Sequence, residues 1–286
     1  MSATTVYARR FVSLVKFEHT VFALPFAYVG MLLAVGGAPS ASLVFWITVA
    51  MVGARSLAMS LNRLIDHEID ARNPRTAGRE LPRGLLSPGQ VVLFAVLSLA
   101  VFLVAVWQLD PIVRWLWPIP VAAFVVYPYT KRFTWLCHFV LGASIGLSPL
   151  AAWLAAGSPI ALAPVLISIA VALWVGGFDV LYGTMDIEID REQDLQSIPC
   201  RFGVARALTV TRIAHLGAVA LLAWAGISLD LGPAYFLGLA VVAALLGYEN
   251  AIVHPDDLSR LNTAFFTLNG VISVVFLAGV MADVLL

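Results

Sequence analysis

The chain contains apolar stretches at about residues 18–36, 42–65, 88–108, 111–129, 133–155, 160–183, 206–228, 232–250 and 262–284. Each is close to the roughly 20 residues an α-helix needs to cross a bilayer. Together they use most of the 286 residues and leave no room for a soluble domain. Only 12% of residues are charged, against about a quarter in soluble proteins. The sequence therefore predicts an all-α, polytopic membrane protein of nine transmembrane helices.

Lys and Arg accumulate in cytoplasmic loops, and this fixes the expected orientation. Arg9, Arg10 and Lys16 precede the first stretch, and Arg72, Arg75, Arg79 and Arg83 follow the second. Lys131 and Arg132 follow the fourth, Arg191 and Arg201 the sixth, and Arg260 the eighth. All fall on one side, whereas the opposite loops carry only Arg114. The N-terminus is thus expected in the cytoplasm of a bacterial-type inner membrane and the C-terminus across it. Cys137 and Cys200 fall on the cytoplasmic half, where thiols stay reduced, so no disulfide is expected. The first stretch lacks a small-residue cleavage site and is long enough to remain as helix one.

More than half of the 17 acidic residues occupy two places. Asp66, Glu68, Asp70 and Glu80 follow the second stretch, and Asp179, Asp186, Glu188, Asp190, Glu192 and Asp194 surround the end of the sixth. "LIDHEIDAR" at 64–72 and "TMDIEIDRE" at 184–192 share Asp, any residue, Glu, Ile, Asp. Two short acidic loops could agree by coincidence, but both close an even-numbered stretch on one side, four stretches apart. That placement points to a parallel repeat of four helices, about 18–129 and 133–250, with a ninth helix at about 262–284.

Residues four apart on a helix drift only about 40° around its axis. Asn62, Asp66 and Asp70 therefore share a face, with Arg55 two turns below them. Asp179, Asp186 and Asp190 share another, with Tyr182 close by. Glu68 and Glu188 fall off these faces. Ionisable groups inside a bilayer face a polar interior, so the two acidic faces are expected to confront each other. Carboxylates crowded together repel unless a cation neutralises them. Oxygen ligands favour Mg²⁺ or Ca²⁺, and Mg²⁺ commonly completes its shell with substrate phosphate oxygens. Basic residues crowd the same mouth in "DARNPRTAGRELPRG", "YPYTKRFT" and "SIPCRFG", which suits a phosphate ester. A phosphate ester above apolar helices reads as a lipid diphosphate, with Phe22, Phe26, Phe124 and Trp174 available as greasy lining.

"NRLIDHEIDARNPRTAGRELPRG", "DVLYGTMDIEID", "YPYTKRFT" and "VKFEHTVFALPFAY" together resemble the UbiA superfamily of intramembrane prenyltransferases over essentially the whole chain. The resemblance is strongest to the bacterial 4-hydroxybenzoate polyprenyltransferase group and its menaquinone-pathway relatives. It implies a single domain of two four-helix repeats plus one helix around a central cavity. The implied activity is Mg²⁺-dependent transfer of a polyprenyl group from polyprenyl diphosphate to a hydroxylated aromatic acid, 4-hydroxybenzoate or 1,4-dihydroxy-6-naphthoate, in ubiquinone or menaquinone biosynthesis. Matched by position, Asn62, Asp66 and Asp70 would hold one Mg²⁺, and Asp186 and Asp190 a second. Lys131, Arg55 and Arg72 would contact the diphosphate, Asp179 and Tyr182 would border the reacting carbon, and Arg132 or Arg79 would meet the acceptor carboxylate. His19 could face the site, whereas His67 and His138 are given no role. Arg63 stands where the family motif usually has Asp, which removes one possible ligand. The expected partners are the diphosphate donor, the aromatic acceptor and membrane lipid, and no nucleic acid.

Two other classes remain in view. An ion-coupled transporter also carries internal repeats and intramembrane acids, although nearer the bilayer midplane. Another superfamily acceptor, such as haem or chlorophyllide, would leave the metal motifs unchanged.

Overall fold

A computed structural model describes residues 10–11, 13–14, 20–258, 260–261 and 267–286, with only the backbone at 20–22. Arg9, Lys16, Glu18, His19 and the Phe22 side chain lie outside the described residues, as do residues 262–266 of the last apolar stretch. Among the described residues the regular structure is helical, apart from one isolated bridge between His254 and Asp257.

In chain order the helices are α1 (Thr20–Val35), α2 (Ala41–Ile65), α3 (His67–Arg72), α4 (Pro88–Trp107), α5 (Val113–Leu116), α6 (Pro118–Thr130), α7 (Cys137–Ala155) and α8 (Leu162–Gly183). A 3₁₀ turn (Thr184–Asp186) leads to α9 (Ile187–Glu192), α10 (Ile198–Phe202), α11 (Val204–Ser228), α12 (Pro233–Ile252) and α13 (Asn269–Leu285). Among the described residues, six spans are long and apolar enough to cross a membrane: α2, α4, α7, α11, α12, and α8 together with its continuation to Glu192.

The helix starts follow local chemistry. Ser40 accepts a hydrogen bond from the Leu43 amide and opens α2. Ser87 and Gln90 form a reciprocal capping box at α4, with Pro88 in the first turn where its missing N–H costs nothing. The fourth apolar stretch is broken between α5 and α6, because Pro118 and Pro120 cannot donate back into a continuous helix.

Lipid tails are as apolar as leucine, so helices in a bilayer associate through close packing of small residues. Gly142 and Gly146 of α7 lie directly against the backbone of α8, where a Cβ would come within 2.2 Å of the Ala172 carbonyl oxygen and 2.6 Å of the Ser168 carbonyl oxygen. α8 also packs on α11, while α1 bridges α7 and α13, and α2 packs on α4 and α6. A buried polar chain fastens three helices: the Trp174 indole donates to Asn269 Oδ1 at 2.8 Å, and the Asn269 amide donates to Glu249 Oε1 at 3.1 Å.

An apolar cavity of about 230 Å³ opens between α1, α2, α4, α5, α6 and α7. Its lining includes Ile47, Met51, Phe102, Trp117 and Phe124, and its one ionisable lining residue among the described residues is Arg55. It follows α2 from Ile47 to Ala58, so it ends one turn short of Asn62.

Candidate active site

Both acidic segments are bent at an aspartate. Asp66 joins α2 to α3 with φ −96° and ψ 7°, and Asp186 joins the 3₁₀ turn to α9 with φ −110° and ψ 6°. These values lie in the sparsely populated bridge region, where many active-site residues sit. A six-residue helix follows each bend. The single continuous helical face expected from residue spacing is thus interrupted in both segments, where a long helix gives way at the aspartate to a six-residue one. The Asp66 amide still bonds the Asn62 carbonyl, and the Asp70 amide the Asp66 carbonyl, so Asn62, Asp66 and Asp70 stay in sequence along one side.

Cations hold these carboxylates. Asp66, only 3% exposed, receives the Lys131 ammonium at 2.9 Å, the Asn62 amide at 2.8 Å and Arg132 at 3.4 Å. Burial pushes its carboxyl above the ordinary range, against the opposing pull of Lys131. Arg132 also donates to the carbonyls of Ile65 and Pro128, which ties the α6–α7 connection to the end of α2. Asp70 is buried and accepts from Arg79 at 2.6 Å on both oxygens.

The second acidic segment is reached from the first by a loop. Asn73 Oδ1 accepts the Arg75 amide, and Pro74 restricts the intervening backbone. The loop is anchored where the Thr76 hydroxyl donates to the Asp70 carbonyl. It projects Arg75 across to Asp186, with Nε to Oδ1 at 3.0 Å and Nη2 to Oδ2 at 2.5 Å. Arg75 also donates to the Tyr182 hydroxyl at 3.0 Å and lies over that ring at 4.9 Å, while the Asn73 amide donates to Asp186 at 3.0 Å. Asp190 hydrogen-bonds Ser197 and lies in electrostatic range of Asp186 and Lys131. The Gln196 amide bonds the Lys131 carbonyl at 2.6 Å, which closes the link between the α6–α7 turn and the second segment.

The structure thus gathers Asn62, Asp66, Asp70, Arg79, Lys131 and Arg132 around the first segment, and Asp186, Asp190 and Tyr182 around the second. Asp179 sits one turn before Tyr182 and bonds His138 at 2.7 Å. Tyr127 stands between the halves, in electrostatic range of Asp66, Arg55 and Asp179. Arg72 is exposed at the end of α3, and Arg55 lines the apolar cavity. Glu68 and Glu188 are exposed.

Sequence reasoning gave Arg75 only a share in the basic mouth and assigned no individual role to Asn73, Tyr127 or His138. The Asn-Pro-Arg-Thr run was the available signal for the first two, since Asn before Pro favours a fixed turn that aims the following side chain.

No three acidic, His or Cys side chains among the described residues form a ready metal cage. Mg²⁺ commonly takes one or two carboxylates and fills the rest of its shell with water and phosphate oxygens. The donors are carboxylate and amide oxygens, and Lys131, Arg79 and Arg75 occupy the positions beside them where a divalent cation would neutralise the same charge.

The sequence profile of the UbiA prenyltransferase family matches residues 23–271. A 4-hydroxybenzoate octaprenyltransferase from Ralstonia nicotianae is 28% identical over 88% of this chain and 86% of its own. Another, from Saccharophagus degradans, is 30% identical over 89% of this chain and 84% of its own. Among solved structures, a UbiA homologue from Aeropyrum pernix superimposes with a TM-score of 0.85 at 33% identity, covering 94% of this chain and 98% of the other. A UbiA homologue from Archaeoglobus fulgidus bound to DMAPP and Mg²⁺ shares the fold, with a TM-score of 0.71 at 18% identity over 96% of this chain and 99% of the other. On its sequence and its fold alike, this chain is a prenyltransferase belonging to the UbiA prenyltransferase family.

Proposed function

We propose that the protein transfers a polyprenyl group from a polyprenyl diphosphate to the ring of a hydroxylated aromatic acid, 4-hydroxybenzoate or 1,4-dihydroxy-6-naphthoate, during assembly of a lipid quinone. The observation that carries this reading is that one helix, α2, runs from an apolar cavity to a carboxylate held by Lys131 and Arg132. α2 lines the cavity up to Ala58 and then supplies Asn62, with Asp66 at its end. A substrate with a charged head and a long apolar tail matches that gradient. The names of the curated relatives and the DMAPP and Mg²⁺ held by the Archaeoglobus fulgidus homologue agree with it.

In this reading Asn62, Asp66 and Asp70 hold one Mg²⁺, and Asp186 and Asp190 a second. When bound, Mg²⁺ supplies charge stabilisation to the departing diphosphate. Lys131 and Arg75 exchange their carboxylate partners for phosphoryl oxygens, keeping positive charge where negative charge grows. Arg72 and Arg55 border the head group from the outer and the cavity side. The C1–O bond of the donor breaks, and its electron pair leaves with the diphosphate. The electron-rich ring, activated by its hydroxyl, then bonds to the allylic C1, and loss of the ring proton to a base restores aromaticity. Asp179 and Tyr182 border that carbon, and Arg132 or Arg79 meets the acceptor carboxylate. The apolar lining from Ile47 to Phe124 keeps water from quenching the allylic cation to an alcohol.

The positive-inside pattern supports an orientation with the N-terminus and the site mouth cytoplasmic and the C-terminus opposite. It also supports nine spans in two repeats, as does the matching bend and short helix at Asp66 and Asp186.

Asp66→Ala and Asp186→Ala test the metal assignment. Each is expected to abolish prenyl transfer while the protein still elutes as a folded monodisperse species in detergent. Full activity in both variants would remove Mg²⁺ from these segments.

A further inference from the structure

His138 lies in the first turn of α7, 6% exposed, with Nδ1 2.7 Å from Asp179 Oδ2 on α8. An ionised carboxylate only accepts, so Nδ1 carries the proton and donates it. The other ring nitrogen, Nε2, is buried without a hydrogen-bond partner. Helix packing alone does not ask for this. The neighbouring α7–α8 contacts are apolar, with Gly142 and Gly146 against backbone and the Phe139 ring against Gly176, and an imidazole with an unsatisfied buried nitrogen weakens such an interface.

The surroundings are shaped around the ring. A Cβ on Gly183 would stand 2.8 Å from His138 Cε1 and 3.3 Å from Nε2, so any larger residue at 183 displaces the imidazole. The same Cβ would lie 3.6 Å from Pro199 Cγ, so α10 also borders the space at Gly183. Asp179 is held on one oxygen only. Its Oδ1 accepts no hydrogen bond among the described residues, and its side chain is 24% exposed. It shares a helical face with Tyr182 and Asp186, which lie three and seven residues on.

We infer that His138 is a positioning residue: its Nδ1–H fixes the Asp179 carboxylate so that the second oxygen faces the reacting substrates, and Gly183 keeps the space the imidazole needs. The inference rests on the reading above, in which Asp179 borders the reacting carbon. His138 touches neither substrate. Without its hydrogen bond Asp179 turns freely about its side-chain torsions, and the chemical step slows although both substrates still bind.

The test is steady-state kinetics on the purified full-length protein with a polyprenyl diphosphate, Mg²⁺ and 4-hydroxybenzoate or 1,4-dihydroxy-6-naphthoate. The variants are His138→Phe, His138→Asn, Asp179→Asn and the double variant His138→Phe with Asp179→Asn. Phenylalanine fills the imidazole volume without a donor, so folding is kept, whereas the asparagine amide places a donor close to the Nδ1 position. His138→Phe is expected to lower kcat roughly tenfold with the donor KM unchanged, and His138→Asn to restore most of it. Adding His138→Phe to Asp179→Asn is expected to change the residual rate by less than about twofold, because the two act as one unit. Gly183→Ala is expected to lower kcat in the same way.

Wild-type kcat in His138→Phe, no rescue by His138→Asn, or an equal drop in both backgrounds would overturn the inference. A wild-type protein that prenylates no aromatic acceptor would instead overturn the underlying reading, and the role of His138 with it.

Discussion

Lys131→Ala isolates one phosphate-binding charge. Its ammonium lies 2.9 Å from Asp66 Oδ2, in a site where Asp66 is 4% exposed at the side chain and Lys131 is 27% exposed. A hydrogen bond to a charged group contributes about 1.5–3 kcal/mol. The lysine is more than a quarter exposed, so solvent screening favours the lower half of that range. A loss of about 1.5–2 kcal/mol in the donor complex corresponds to a roughly 10- to 30-fold rise in the KM for polyprenyl diphosphate. The assay varies the donor at saturating acceptor and Mg²⁺ and follows product by mass. A second signature follows from the sign of the electrostatics. Burial already raises the Asp66 carboxyl and Lys131 opposes it, so removing Lys131 raises it further. The acid limb of the activity profile then moves to higher pH, because Mg²⁺ needs the ionised carboxylate. An unchanged donor KM with an unmoved acid limb would refute the placement of Lys131 at the diphosphate.

Other substitutions probe the geometry elsewhere. Arg75→Lys keeps the charge but cannot bridge both oxygens of Asp186 and the Tyr182 hydroxyl, so kcat/KM for the donor is expected to fall about tenfold; wild-type kinetics would exclude a bidentate role. Gly30→Ala puts a Cβ 2.0 Å from the Pro149 carbonyl oxygen, where α1 crosses α7. Backbone cannot yield as a side chain can, so a cost of about 1–3 kcal/mol and a lower unfolding temperature in detergent are expected; an unchanged midpoint would show that the crossing is looser than described.

The helices were legible because apolar length is a strong signal and the starts carry explicit chemistry. Ser40 and Ser87 open α2 and α4 within a residue of the expected bounds. The break before Pro118 escaped notice, since a proline pair in an apolar run leaves its hydropathy intact and disturbs only hydrogen bonding. The acids were legible for the same reason, as charge in such a chain is conspicuous. Their bending at Asp66 and Asp186 was not, because two residues in the bridge region leave no mark on composition. Arg75 was counted only as one basic residue among several. Its contact with Asp186 spans 111 positions, and no periodic pattern reports a pairing at that separation. His138 looked like an ordinary helix residue until α8 brought Asp179 beside it.

The central claim is that the charged mouth and the apolar cavity serve one prenyl transfer. The most direct measurement incubates purified protein with a polyprenyl diphosphate and Mg²⁺ against a panel of aromatic acceptors, each with and without EDTA, and identifies products by mass. The account predicts a prenylated 4-hydroxybenzoate or 1,4-dihydroxy-6-naphthoate that forms with Mg²⁺ and vanishes with EDTA. An intact protein that yields no prenylated aromatic product with several donor lengths, or one whose product persists in EDTA, would contradict it.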